Sequence, residues 1–327
     1  MKKLISMLLV LCILMLLFAG CSGDSSGNDS GSEDWPNKPL TFIVTHGAGG
    51  DTDYNARLMS RMLEDELGVA VAVNNVTGSN GAIALTQYKD ENPDGYTFVF
   101  TNTAALTGNE ATGISDFGFD AFEPVSVYGR QSGENIIVPA DSPYENLDQL
   151  IEASKANPGS IRFGVSTGGG VYIASVILEQ AGGSKFQVIE SGDAAERVTS
   201  LLGGHVDATI APYSTVKEYI ENGDVKALST LLEEPPTLIP DIPSASETLE
   251  ELKLNTYYVA LAPKGTDSEI VEKLNDAILK IVNENQEYSE EVERYNLQAP
   301  WALSVSDSIE ELSQQRDRFM RYSEFLR

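Results

Sequence analysis

Three stretches of this chain are suited to presenting main-chain amides to a ligand. They are His46-Gly47-Ala48-Gly49-Gly50, Thr77-Gly78-Ser79-Asn80-Gly81 and Ser166-Thr167-Gly168-Gly169-Gly170. Each follows a short β-rich run and leads into a helical or apolar segment. Glycine lets a backbone approach a ligand closely, and the first N–H groups of a helix have no partner within it. Each helix start also carries roughly half a positive charge. Several such starts aimed at one crevice would hold a carboxylate without Lys or Arg. A single glycine turn is ordinary packing; what points to a ligand here is the recurrence of the turn in both halves of the chain.

The same residues permit a second chemistry. Gly164-Val165-Ser166-Thr167-Gly168 fits the G-x-S-x-G nucleophile elbow, and His46-Gly47-Ala48-Gly49 faintly resembles an esterase oxyanion motif. A serine hydrolase built on Ser166 needs an acid and a late histidine. The last histidine is His205, only 39 residues on, with Asp193 the sole aspartate between. The hydrolase therefore stands as the alternative to a binding protein. An adhesin or scaffold, which would answer to a protein partner and to no small molecule, is a third class. Two His and two Cys are too few for a zinc cluster or haem, so no metal and no cofactor is expected. Acidic pairs such as Glu64 with Asp65 and Glu290 with Glu291 read as solvated helix faces.

The elements that must position these turns follow a repeated grammar. Leu40 to Val44, Val69 to Val73 and Tyr96 to Phe100 read as strands, with helical patterns over Asp53 to Leu67 and Ala82 to Tyr88 between them. The second half repeats the order, with strands at Ile136 to Val138, Ile161 to Val165, Phe186 to Ile189 and Asp207 to Ala211. Helical patterns cover Leu147 to Ala156, Val171 to about Ala181, a stretch to Leu202 opened by a capping box at Asp193 to Glu196, and Ser214 to Asn222. The tail is helical over Asp267 to Asn283 and Ser306 to Phe325, and Glu233 to Pro243 is a Pro-rich connection. Such alternation predicts an α/β fold of two lobes, each with a parallel sheet and crossover helices. Ligands in such sheets bind beyond the carboxyl ends of the strands, where the glycine turns fall.

The 327 residues suffice for two lobes with real cores. The formal net charge of −27 opposes nucleic acid and a polybasic grip on anionic lipid. Backbone donors escape that objection, because they act at contact distance while the overall field is screened beyond ~8–10 Å.

Lys2 and Lys3 precede an apolar run from Leu4 to Ala19, too short for a comfortable span of ~20 residues. Leu17-Phe18-Ala19-Gly20-Cys21 resembles a bacterial lipobox, with Phe18 where an aliphatic residue is usual. Residues 1–20 are thus expected to be a lipoprotein signal peptide, and Cys21 the lipidated N-terminus. Residues 21–35 form an acidic Ser/Gly tether with no core of its own. The domain would then sit extracytoplasmically at the outer face of the cytoplasmic membrane, with no disulfide.

Ile43 to Asp53 followed by Ala56-Arg57, Leu67-Gly68 with Val71 to Asn75 and Gly78 to Gly81, and Pro93-Asp94-Gly95-Tyr96-Thr97 are together similar to motifs of the Bug/TctC family. Its members are extracytoplasmic receptors of tripartite tricarboxylate transporters. Phe122 to Val125, Ala156 to Gly159 with Phe163-Gly164, Leu201 to Asp207 and Ala262 to Thr266 continue the series, so the likeness runs from about Trp35 to the C-terminus. The resemblance implies a periplasmic-binding-protein (Venus flytrap) fold, with lobe I at 36–127 plus 259–327 and lobe II at 128–258. It implies no enzyme, a small di- or tricarboxylate or related organic acid as ligand, and the permease subunits of an ion-driven transporter as partner. Carried over, the ligand-binding residues are Ala48, Gly49, Gly50 and Asp53; Gly78, Ser79, Asn80 and Gly81; Asn102 and Thr103; and Ser166, Thr167, Gly168, Gly192 and Tyr213 from lobe II. Ala48 stands where the family usually has Pro, His46 where it has an aromatic, and Val171-Tyr172-Ile173 where a His is common.

Overall fold

The computed structural model describes residues 35–166, 170–192, 194–233 and 242–326. The strands are β1 (Leu40–Val44), β2 (Val71–Asn75), β3 (Thr97–Asn102), β4 (Phe122–Arg130), β5 (Glu134–Pro139), β6 (Arg162–Val165), β7 (Gln187–Glu190), β8 (Ala208–Pro212), β9 (Val225–Thr230) and β10 (Tyr257–Pro263). The helices are α1 (Asp51–Leu67), α2 (Ala82–Tyr88), α3 (Asn109–Thr112), α4 (Leu147–Ala156), α5 (Gly170–Gln180), α6 (Ala194–Leu202), α7 (Tyr213–Glu221), α8 (Ser268–Glu284), α9 (Gln286–Asn296), α10 (Val305–Met320) and α11 (Ser323–Leu326). A π-helical turn, Ala104–Gly108, links β3 to α3.

Two five-stranded sheets carry the chain, in the orders β2-β1-β3-β10-β4 and β7-β6-β8-β5-β9. The expected parallel sheets hold for three strands in each. β1 runs parallel to β2 and β3, and β6 parallel to β7 and β8. Each sheet is then completed by antiparallel strands: β10 lies antiparallel to β3 and β4, and β5 to β8 and β9. The local β-α-β pattern specifies only the parallel part. The antiparallel strands are set by long-range pairing as the chain passes between sheets.

The local signals act as their chemistry demands. In α1, Leu58, Met59, Met62 and Leu63 are buried on one face, and Gly68 ends the helix at φ 69°. That left-handed turn suits glycine, and its N–H bonds the Glu64 carbonyl. Asn146 caps α4 by accepting the Gln149 N–H, and Asp267 caps α8.

The first sheet packs around Ile43, Val99, Val127, Leu261 and Leu312. The second packs around Ile136, Phe163, Ile177, Ile210 and Phe319. Full burial of such a side chain contributes about 1.5–3 kcal/mol. Leu312 and Phe319 both lie on α10, so this one helix enters both cores. Between the sheets, the chain leaving β4 and the chain entering β10 run side by side, with Gln131 N–H donating to the Thr256 carbonyl at 2.9 Å.

Candidate ligand-binding site

The turn between β1 and α1 is built around Asp53, which is 3% exposed. Its carboxylate accepts from Gly49 N–H at 2.8 Å, from Arg57 Nε at 2.9 Å and from Asn75 Nδ2 at 2.7 Å. Burial alone would raise its pKa, but the bonds from Arg57, Asn75 and Gly49 outweigh it and hold the group below the usual carboxylate range. Asn75 also donates to the His46 carbonyl, closing the turn. Asp53 and the Gly49 amide thus shape the loop. No side chain caps α1 at Gly50. His46 accepts or donates through Nδ1 to Thr45 Oγ1 at 2.8 Å. Burial pushes its pKa down, against Asp51 and Asn80, which pull it up.

The turn before α2 takes an unusual backbone path. Gly78, Ser79, Asn80 and Gly81 all have positive φ. At Gly81 a Cβ would lie 3.1 Å from Thr45 Cβ and 3.2 Å from Ala105 Cβ, so glycine is required both sterically and conformationally. The Asn80 side chain donates to Asn109 Oδ1, and the Asn80 backbone carbonyl accepts from Asn109 Nδ2. At the end of β3, Asn102 Nδ2 donates to Thr52 Oγ1 at 2.9 Å, and its Oδ1 accepts Ala105 N–H. Thr103 Oγ1 accepts Tyr257 N–H, tying β3 to β10. Three successive strand ends are in this way cross-braced onto one face.

A cleft of about 660 Å³ opens there. Gly49, Gly50 and Asp51 line it from the first sheet, and Ser132, Ala194 and Ser214 from the second. Gln131 lines it too, and also walls a narrower recess of about 100 Å³ shared by Asn80, Asn102 and Thr103 on one side and Glu134 and Gly170 on the other. The openings of α1, α5 and α6 therefore all border this space.

Of the residues expected from the sequence, Gly49, Gly50, Asn80, Asn102 and Thr103 line the cleft directly. Asp53, Gly78 and Gly81 act behind the wall, by holding the turns. Ala48 is exposed beside Gly49, and Ser79 is held at φ 48° beside Asn80. Tyr213 opens α7 between the lining residues Pro212 and Ser214, its N–H donating to the Gly133 carbonyl at 3.0 Å. Gly192 sits against α6, its carbonyl accepting from Arg197. Ser166 follows β6; Thr167, Gly168 and Asp193 lie outside the described residues, as does Cys21.

Sequence reasoning missed Asp51, Gln131, Ser132, Glu134 and Tyr258. Gln131 to Glu134 form the crossing between sheets, which carries no motif. Burial pushes the Glu134 carboxyl up to about 7, with Asp51 adding to the shift and Arg197 opposing it. The hydrolase arrangement is not assembled. Ser166 follows the carboxyl end of β6, whereas His205 precedes the parallel strand β8 and is exposed. With Gly164 paired to Thr209 in parallel register, Ser166 lies past the carboxyl end of β6 while His205 lies before the amino end of β8.

A family model described as the tripartite tricarboxylate transporter family receptor (TctC) matches residues 55–321. The chain belongs to the TctC receptor family. BugT of Bordetella pertussis is 29% identical over 252 residues, covering 75% of this chain and 76% of that protein. A solved TctC solute-binding protein from Polaromonas superposes with a TM-score of 0.75 at 26% identity, covering 88% of this chain and 98% of the other. MatC from Rhodopseudomonas palustris, solved with bound malate, shares the fold, with a TM-score of 0.68 at 20% identity over 87% of this chain and all of MatC. The TctC family and fold make this protein a solute-binding receptor and not an enzyme. The two sheets are the two lobes of the periplasmic-binding-protein fold.

Proposed function

We propose that this receptor captures a small carboxylated organic anion in the cleft between its sheets and delivers it to the permease of an ion-driven tripartite transporter. The observation that carries the reading is the cleft itself, bordered by the openings of α1, α5 and α6 from opposite sheets. The malate bound by MatC is chemistry of the same class. Ala48 to Gly50, Gly78 to Gly81, Asn102 and Thr103 form the lobe I half of the site. Ser166 to Gly168, Gly192 and Tyr213 form the other half, and Asp53 sets the first loop. Lobe I spans 36–127 with 259–327 and lobe II 128–258. A ligand touching both only when they close shifts the open–closed equilibrium by its differential affinity. Residues 1–20 serve as a signal peptide and residues 21–35 as a tether. Lipid on Cys21 holds the receptor at the outer face of the cytoplasmic membrane.

The test is a thermal-shift panel of di- and tricarboxylates on the purified protein. A ligand at a hundred times its Kd stabilises by about 2.7 kcal/mol. No shift with any member, alongside a shift with uncharged solutes, overturns the reading.

A further inference from the structure

Asn109 opens α3, is fully buried, and reaches the second glycine turn from behind. Its amide is used at both ends. Nδ2 donates to the Asn80 backbone carbonyl at 3.0 Å, and Oδ1 accepts from Asn80 Nδ2 at 3.1 Å. Asn80 Nδ2 also donates to the Ala104 carbonyl at 3.3 Å, in the π-helical turn that leads into Asn109. One buried side chain thus grips both the backbone and the side chain of Asn80. Asn80 walls the recess with Asn102 and Thr103, and Asn109 stands behind that wall.

The grip opposes a conformational cost. Ser79 at φ 48° and Asn80 at φ 50° are consecutive non-glycine residues in the left-handed region, where a side chain crowds the following carbonyl. Such a turn persists only where its surroundings over-determine it. Holding the Asn80 carbonyl and the Asn80 side chain together takes a donor and an acceptor on one group, and an amide carries both.

The same grip reaches the first turn. With Asn80 Nδ2 engaged by Asn109 and Ala104, the oxygen of the Asn80 amide is the end left to offer. Burial pushes the His46 pKa down, and against it Asp51 and a bond from the Asn80 side chain pull it up, as an acceptor does beside an imidazolium. Asn80 therefore joins the second turn to the first, and Asn109 sets which end of the amide faces His46. We infer that Asn109 is a positioning residue for ligand capture, fixing the left-handed backbone of the second turn and the orientation of the Asn80 amide at the recess. The inference rests on the carboxylate reading above for what the turns hold.

Two measurements on the purified full chain test it. His46 and His205 are the only histidines, so NMR titration of the imidazole signals follows each separately. Asn109→Ala should lower the His46 midpoint and leave that of His205 unmoved. Calorimetry with malate and with citrate, at a temperature where both proteins are folded, should show Asn109→Ala binding about tenfold more weakly or worse. In an Asn80→Gly background, where the turn needs no grip, Asn109→Ala should add less than about threefold. An unchanged His46 midpoint, unchanged affinity, or the same loss in both backgrounds each overturns the inference and leaves the carboxylate reading in place. Failure of the wild type to bind either acid removes both. Should Asn109→Ala not fold, Asn80→Gly alone decides: Asn80 is exposed, and its replacement should lower the His46 midpoint and weaken binding, whereas no change in either overturns the inference.

Discussion

The carboxylate of Asp53 and the amide of Gly49 hold each other at 2.8 Å across the first turn of the receptor. Asp53, a ligand-contact candidate from the sequence, braces the loop whose Gly49 and Gly50 line the cleft. Arg57 and Asn75 complete the brace, and together they keep Asp53 ionised in its buried site.

Asp53→Asn should therefore destabilise the protein by about 1–3 kcal/mol at pH 7 and weaken ligand binding through a loosened loop. The sign with pH follows from the depressed pKa. The stabilisation is fully present above the unfolded-state pKa and is lost as pH falls through the lower folded value. Urea denaturation between pH 7 and pH 3 should show wild type and variant converging at the acid end. A difference that stays constant with pH would deny the charge its role.

Gly50→Val and Gly81→Val separate binding from folding. Gly81 has φ 84° and neighbours on two sides, so valine there should cost about 1–3 kcal/mol or more of stability as well as binding. Gly50 has φ −77°, and the nearest atom to an added Cβ is the Gly47 carbonyl at 3.3 Å. Its variant should stay folded yet lose the ligand-dependent rise in Tm. Unchanged affinity in Gly50→Val would place the site elsewhere.

Glu110 and Arg316 form a two-pronged ion pair between α3 and α10, with the Glu110 side chain 9% exposed. Glu110→Ala leaves the half-buried guanidinium facing Asp120 alone. It should lower stability by about 2–4 kcal/mol with little change in ligand affinity at temperatures where the protein is folded. Chemical denaturation and calorimetry on the same preparation check both halves of that statement.

Cys21→Ser should release the protein from membranes. Fractionation of cells producing wild type and variant reads this directly, and continued membrane retention of the variant would remove the lipid anchor from the account.

What was legible in the sequence is what local chemistry writes. The face of α1 and its end at Gly68, the limits of α4, and the first two glycine turns are all set by residues close in the chain. β4, β9, β10 and α9 were not legible, because their identity comes from partners far away: Val259 pairs with both Thr101 and Val127. The same holds within the cleft. Glycine turns announce themselves, whereas Gln131 and Glu134 acquire meaning only when Gln131 meets Thr256 at the crossing and the second sheet folds over them. Glu64 and Glu291 show the converse. They read as solvated carboxylates, yet Glu64 accepts Val71 N–H at 2.8 Å and Glu291 accepts the Tyr54 hydroxyl at 2.5 Å. Spacing along one chain segment does not reveal such partners.

The most direct measurement is a crystal structure of the receptor with the carboxylate that raises its Tm most. The account predicts density between the two sheets, with a carboxylate at Gly49 to Asp51 and the far end of the molecule reaching the Gln131–Glu134 recess. A ligand touching one sheet alone, or seated away from those turns, would contradict it.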